Sequence, residues 1–184
     1  MKTLMLISNG FEEIEAITVI DILRRCDIEV DVASITGSRE ITGAHDIKMV
    51  TDTLIEDLNA EGYDGLLLPG GLPNAHNLRD DERVINLVKE YDKNGKVLAA
   101  ICAAPCILER AGVLKNKNVT AYPNCIDESA VNYKKVKAVR DGNVVTGCGV
   151  GGAIDFALLI AKSLGKEEEA EKVRKGILYD WPLE

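Results

Sequence analysis

Cys102 stands where one sequence pattern gives way to another. Before it, Val97-Leu98-Ala99-Ala100-Ile101 is an unbroken apolar run, the pattern of a strand covered on both faces. After it, Ile107, Leu108 and Ala111 recur at helical spacing, and Pro105 is tolerated there only in a first turn. A thiol at such a bend lies beside helix amino-terminal amides, which favour negative charge. Cys102 is therefore expected to ionise more readily than a free cysteine, whose pKa is about 8.5. A thiolate attacks carbonyl carbon and is also the first target of peroxides. The plain alternative is a small apolar cysteine packed among alanines.

Two further stretches favour the chemical reading. Leu66-Leu67-Leu68 is a second buried strand, ended by Pro69-Gly70-Gly71, and adjacent glycines let backbone amides approach a ligand. An ordinary tight turn has the same composition. Glu15 follows the first strand within Phe11-Glu12-Glu13-Ile14-Glu15, which opens a helix. In a parallel sheet, Glu15, Gly70-Gly71 and Cys102 all fall on the rim at the strands' carboxyl ends. A carboxyl beside a thiolate stays protonated through burial and like-charge repulsion, and so becomes a hydrogen-bond donor and proton shuttle. The amides of Gly71 and Ala103 are suited to an oxyanion.

The elements that must position these groups alternate strand and helix. Thr3–Ser8 reads as strand one, followed by a helix with Ala16, Ile17, Ile20 and Leu23 as its apolar stripe and Arg24-Arg25 at its carboxyl pole. Ile28–Ile35 is strand two, and 40–51 suggests a hairpin around Ala44-His45-Asp46. A helix over Val84–Tyr91, a short strand at Val119–Ala121, a hairpin of 136–139 with 144–146, and helices at 153–164 and 166–175 complete the chain. The glycine-rich run 147–152 lacks the Lys-Ser/Thr ending of a phosphate loop, so close helix packing is its expected use. This is a doubly wound α/β arrangement, a mostly parallel central sheet with helices on both faces.

Composition narrows the function classes. The chain has 184 residues, enough to bury one core without staples, and no apolar run approaches the ~20 residues of a membrane span. A net charge of -8 argues against nucleic-acid binding. Five cysteines without framework spacing fit a reducing compartment, and Met1-Lys2-Thr3-Leu4 leads directly into a strand, so a cytoplasmic protein is expected. With two histidines and no Cys-x-x-Cys pair, no metal site is expected. Cys106, four residues past Cys102, is read as a buried structural thiol, and Cys26, Cys125 and Cys148 are assigned no chemistry.

Four motifs in order, Phe11-Glu12-Glu13-Ile14-Glu15-Ala16, Leu68-Pro69-Gly70-Gly71, Ala99-Ala100-Ile101-Cys102-Ala103-Ala104-Pro105 and Gly151-Gly152-Ala153-Ile154-Asp155-Phe156-Ala157-Leu158, resemble the ThiJ/PfpI superfamily. The resemblance is to the branch of the parkinsonism-associated protein deglycase and its bacterial relatives. It implies one flavodoxin-like, class I glutamine amidotransferase-like domain over 1–184, a three-layer sandwich, and a homodimer. It implies Cys102 as nucleophile on an elbow, Glu15 bonded to its sulfur, Gly71 and Ala103 amides at the oxyanion, and no cofactor. The activities it implies are glutathione-independent conversion of methylglyoxal to lactate and removal of glyoxal adducts from proteins or nucleotides. A redox-sensing chaperone, with Cys102 oxidised to sulfinate as the signal, is the alternative, and a thiamine-pathway role is a weaker one. Some relatives carry a His where this chain has Tyr122, and an Arg near the hairpin where it has His45. Tyr122, Gly70 and His76 complete the expected pocket, with His76 placed near the rim by its position after Gly70-Gly71.

Overall fold

The computed structural model describes residues 1–59 and 62–182. Among the described residues, eleven strands and six α-helices follow in chain order: β1 (Lys2–Ile7), α1 (Glu13–Arg25), β2 (Glu29–Ser34), β3 (Glu40–Thr42), β4 (Lys48–Val50), β5 (Thr53–Leu54), β6 (Gly65–Leu68), α2 (Asn74–Asp80), α3 (Glu82–Lys93), β7 (Val97–Ile101), α4 (Pro105–Arg110), β8 (Asn118–Val119), β9 (Asn132–Tyr133), β10 (Ala138–Asp141), β11 (Val144–Gly147), α5 (Ala153–Ser163) and α6 (Glu167–Gly176).

Seven strands form the central sheet in the order β10-β11-β7-β6-β1-β2-β5. All neighbours run parallel except β10 on β11. Because successive strand residues face opposite sides, β1 divides its side chains between two cores. Met5 and Ile7 join Val19, Leu23, Phe156, Ile160 and Val173 on the face covered by α1, α5 and α6. Leu4 and Leu6 join Leu78, Val88, Tyr91 and Ile107 on the face covered by α2, α3 and α4. Burial on both faces is why β6 and β7 read as continuous apolar runs rather than alternating ones. Gly147 permits the close packing expected of the glycine-rich run, since a Cβ there would lie 2.9 Å from Ile101 and 3.0 Å from Phe156.

The expected 40–51 hairpin is β3 paired with β4, Glu40 opposite Val50. Three expectations need correction. The α1 stripe is Ala16, Val19, Ile20, Ile22 and Leu23, whereas Ile17 is 47% exposed. Residues 118–119, not 119–121, form the short strand β8, which pairs with β9 outside the main sheet. A further helix, α2, follows Gly70-Gly71; its Asn77, Arg79 and Asp80 concealed it from hydrophobic periodicity.

The first strand hands on to β2 on one side, and the chain later returns to the other side of β1 as β6. The loops leaving β1 and β6 therefore diverge and leave a crevice at the carboxyl ends, the usual ligand position in such sheets. Asn74, fully buried at the start of α2, ties the two loops together. Its Oδ1 accepts from Ser8 N at 2.7 Å, and its Nδ2 donates to Pro69 O at 2.8 Å and Gly70 O at 3.0 Å. Replacement by an apolar residue of similar size leaves these buried backbone groups without partners. Asn74→Leu is expected to lower unfolding stability by about 3 kcal/mol in urea titrations; a loss below about 1 kcal/mol would show that the tie is dispensable.

Candidate active site

Cys102 is the first residue after β7, and its backbone sits in the left-handed region at φ +63°. That conformation costs a non-glycine residue ~1–3 kcal/mol and persists where neighbours over-determine it. Here Cys102 N donates to Gly147 O at 2.9 Å, and Tyr122 N donates to Cys102 O at 2.8 Å. The turn lifts the side chain off the strand, and Pro105 begins α4 three residues later.

Glu15, in the first turn of α1, is fully buried. Gly70 N donates to its Oε2 at 2.9 Å. Gly70 has to be glycine, because a Cβ there would sit 2.5 Å from that oxygen and 2.7 Å from Cys102 Cβ. The carboxyl and the nucleophile are thus pressed against the same backbone atom from two sides. Glu15 Oε1 is buried with no partner of good hydrogen-bond geometry among the described residues, and the Cys102 thiol is the side chain that interacts with this carboxyl. An orphaned buried oxygen is costly as a carboxylate and inexpensive when it carries the proton and turns it toward sulfur.

The electrostatics agree with that picture. Burial pushes Glu15 up to about 7, against the pull of the Cys102 thiol and the Gly70 amide. Burial, then the charge and hydrogen bond of Glu15, push Cys102 up to about 12, with the Ala103 amide opposing. The expectation of a readily ionised lone thiol is therefore corrected: desolvation and the adjacent acid outweigh the amides at the start of α4. The two groups titrate as a unit, which holds one negative charge from about neutrality and resists a second. With the proton on Glu15 the charge lies on sulfur, and that is the nucleophilic form.

Gly71, at φ +86°, lies against the Gly10–Glu12 backbone, and its amide has no acceptor among the described residues. The Ala103 amide faces the Cys102 sulfur. Cys102 opens on a cavity of about 830 Å³ whose wall includes Tyr122, Pro123, Tyr133, Val136, Cys148 and Val150. Tyr122 is thus a pocket residue, 57% exposed. His76 is not: it lies on the exposed side of α2 and does not line this cavity. Its sequence position suggested the rim, but α2 carries it outward. Tyr133, Val136 and Cys148 went unassigned in the sequence reading because they come from β9, the loop before β10 and the glycine-rich run, far from the catalytic motifs in the chain. Cys106 is buried and carries a free thiol, as expected.

His45 has a structural task. Its amide donates to Glu13 Oε1 at 2.7 Å, and its Nδ1 lies 2.9 Å from Glu13 Oε2. Hydrogen bonding to Glu13 and the nearby Glu12 charge raise His45 above its ordinary value, while its bonds hold Glu13 down despite burial. Glu12, Glu13 and His45 form the one group with metal-ligand spacing among the described residues, their ligand atoms within 4.8 Å of one another. Both Glu13 oxygens are already committed to the hairpin, so the group reads as an anchor between α1 and the β3–β4 turn.

The raised Glu15 value has a consequence for stability. Its ordinary value is 4.5 and its folded value about 7, so folding resists its ionisation. The cost is absent at pH 4, grows as the unfolded chain loses its proton, and reaches about 3 kcal/mol above pH 7. Glu15→Gln keeps an acceptor for Gly70 and removes the charge. It is expected to raise Tm by about 5 °C or more at pH 8, with the gain vanishing near pH 4; a pH-independent difference between the two proteins would show that Glu15 has no such shift.

Comparison with known proteins matches this geometry to one family. The model of the "DJ-1/PfpI family" matches residues 1–163. The chain is 35% identical over 180 residues to protein dj-1beta of Drosophila melanogaster, covering 96% of each. It is 36% identical over 182 residues to protein DJ-1 homolog A of Arabidopsis thaliana, of whose length it spans 46%. Among solved structures, oxidised DJ-1 of Toxoplasma gondii superposes with a TM-score of 0.91 at 32% identity, over 98% of this chain and 99% of that one. The resemblance seen in the motifs extends to the whole fold: the chain belongs to the DJ-1/PfpI family.

Proposed function

We propose that the protein is a cofactor-free, cysteine-dependent enzyme acting on α-oxoaldehydes or on the adducts they form with amines. The observation that supports this reading is the Glu15–Cys102 pair, one buried acid with a raised proton affinity beside one strained thiol at the edge of an open cavity. Sulfur adds to the aldehyde carbon, and the proton on Glu15 passes to the aldehyde oxygen, giving a hemithioacetal. Glu15, now a carboxylate, removes the hydrogen on that carbon as a proton and returns a proton to the adjacent carbon. The hydroxyl proton moves to the second oxygen. The first carbon thereby rises to the thioester level while the ketone becomes an alcohol, so no external oxidant or reductant is required. Water then attacks the thioester, the carbon–sulfur bond breaks, and a 2-hydroxy acid leaves with the thiol restored. Amides of Gly71 and Ala103 hold the developing oxyanion.

Two variants test this. Cys102→Ala is expected to abolish lactate formation from methylglyoxal, and Glu15→Gln to reduce kcat by about 10²–10⁴-fold with the fold intact. Turnover in Glu15→Gln equal to that of the parent enzyme would remove the carboxyl from the mechanism. A redox-sensing role is the second reading, favoured by the partial exposure of Cys102 and by the oxidised form of the Toxoplasma relative. Absence of turnover, together with addition of two oxygens at Cys102 under mild peroxide, would replace the first reading by the second.

The protein is further proposed to work as a homodimer. Ile14 and Ile17 on α1 and Ile47 and Val50 on the hairpin are 53%, 47%, 57% and 65% exposed, and the Glu13–His45 contact joins the two elements. Adjacent exposed apolar side chains of this size mark an association surface. Arg24 and Arg25 at the end of α1 are engaged within the chain, with Val30 O and Asp21. Sedimentation equilibrium is expected to give twice the chain mass for the native sequence and the chain mass for Ile17→Lys; a monomer in both would discard the dimer.

A further inference from the structure

The cavity beside Cys102 bears on which aldehyde is used, an inference that rests on the thiol-addition reading. Its volume of about 830 Å³ lies in the ~300–1,000 Å³ range that encloses drug-sized ligands. A three-carbon aldehyde leaves most of it unfilled. Three of the polar groups around it are already satisfied within the protein, while the Lys135 ammonium and the Tyr122 hydroxyl have no partner among the described residues. Tyr133 Oη donates to Ala121 O at 2.7 Å, Thr120 Oγ1 donates to Val136 O at 2.9 Å, and Lys137 Nζ is held by Tyr179 Oη at 2.8 Å and Asp155 at 3.2 Å. What the cavity offers a ligand is thus mainly the aromatic ring of Tyr133 with Tyr122, Pro123, Val136 and Val150. Tyr122, Val136 and Val150 are 57%, 47% and 40% exposed, so they have apolar surface still to be covered.

We infer that the substrate carries a bulky apolar group, aryl or branched alkyl, next to its α-oxoaldehyde, and that this group seats against Tyr133, Val136 and Val150 while sulfur engages the aldehyde carbon. The overall reaction adds one water to the oxoaldehyde and yields the corresponding 2-hydroxy acid, as for the smaller compound. Tyr133, Val136 and Val150 act as specificity-determining residues.

Steady-state kinetics with phenylglyoxal, read as mandelate formed, against methylglyoxal, read as lactate, tests this. Burying a phenyl in place of a methyl is expected to favour phenylglyoxal in kcat/KM by about tenfold or more, chiefly through KM. Val136→Asp places a charge on the apolar wall at a half-exposed position. It is expected to lower kcat/KM at least about fivefold further for phenylglyoxal than for methylglyoxal. Equal or better use of methylglyoxal, or a Val136→Asp loss that is the same for both, overturns the inference and leaves the reaction assignment standing. Turnover of neither aldehyde, or turnover that survives Cys102→Ala, overturns the assignment itself and the inference with it.

Discussion

The structure turns on a buried carboxyl and a thiol that one glycine holds against each other. Gly70 supplies the hinge of this arrangement twice: its amide fixes one oxygen of Glu15, and its missing side chain leaves room for Cys102. The other carboxyl oxygen is left in a buried space with a thiol as its polar neighbour. In water neither group would be unusual. Out of water, a second charge is prohibitive: burial raises both groups, the carboxyl ionises first, and the thiolate form requires the proton to pass back to Glu15.

The fold serves this contact by bringing three separate chain segments to one edge. The outward turn after β1, the return at β6 and the elbow after β7 would each be mobile alone. Asn74 fastens the first two through main-chain groups, and a hydrogen bond to Gly147 O and one from Tyr122 N lock the third. Positive φ at Cys102 is tolerated because those bonds leave the peptide no alternative. The two hydrophobic cores hold the sheet that carries all three segments, so packing far from the sulfur sets its geometry within the tolerance that reactivity demands.

Much of this was legible beforehand, for identifiable reasons. Strands β6 and β7 announce themselves because double-sided burial leaves no polar residue in them. Glu15 and Cys102 could be paired because a parallel sheet sends every strand's carboxyl end to the same rim. Helix α2 was not legible, since seven residues with five polar or charged side chains carry too little periodicity. Without that helix, the position of His76 after Gly70-Gly71 points to the rim. Ile14 and Ile17 were equally opaque: apolar residues on a helix look alike whether they face a core or stand exposed.

The buried strands β1, β6 and β7, the acidic character of the chain, and the candidate pair Glu15 and Cys102 were determined by residue type and short-range spacing. The direction of the thiol's shift, the role of Asn74, the outward position of His76 and the apolar cavity wall were decided by the tertiary structure. The physical reason is that charge states depend on desolvation, and desolvation depends on neighbours distant in the chain. Cys102 and Glu15 are 87 positions apart, and only a folded sheet removes the water between them.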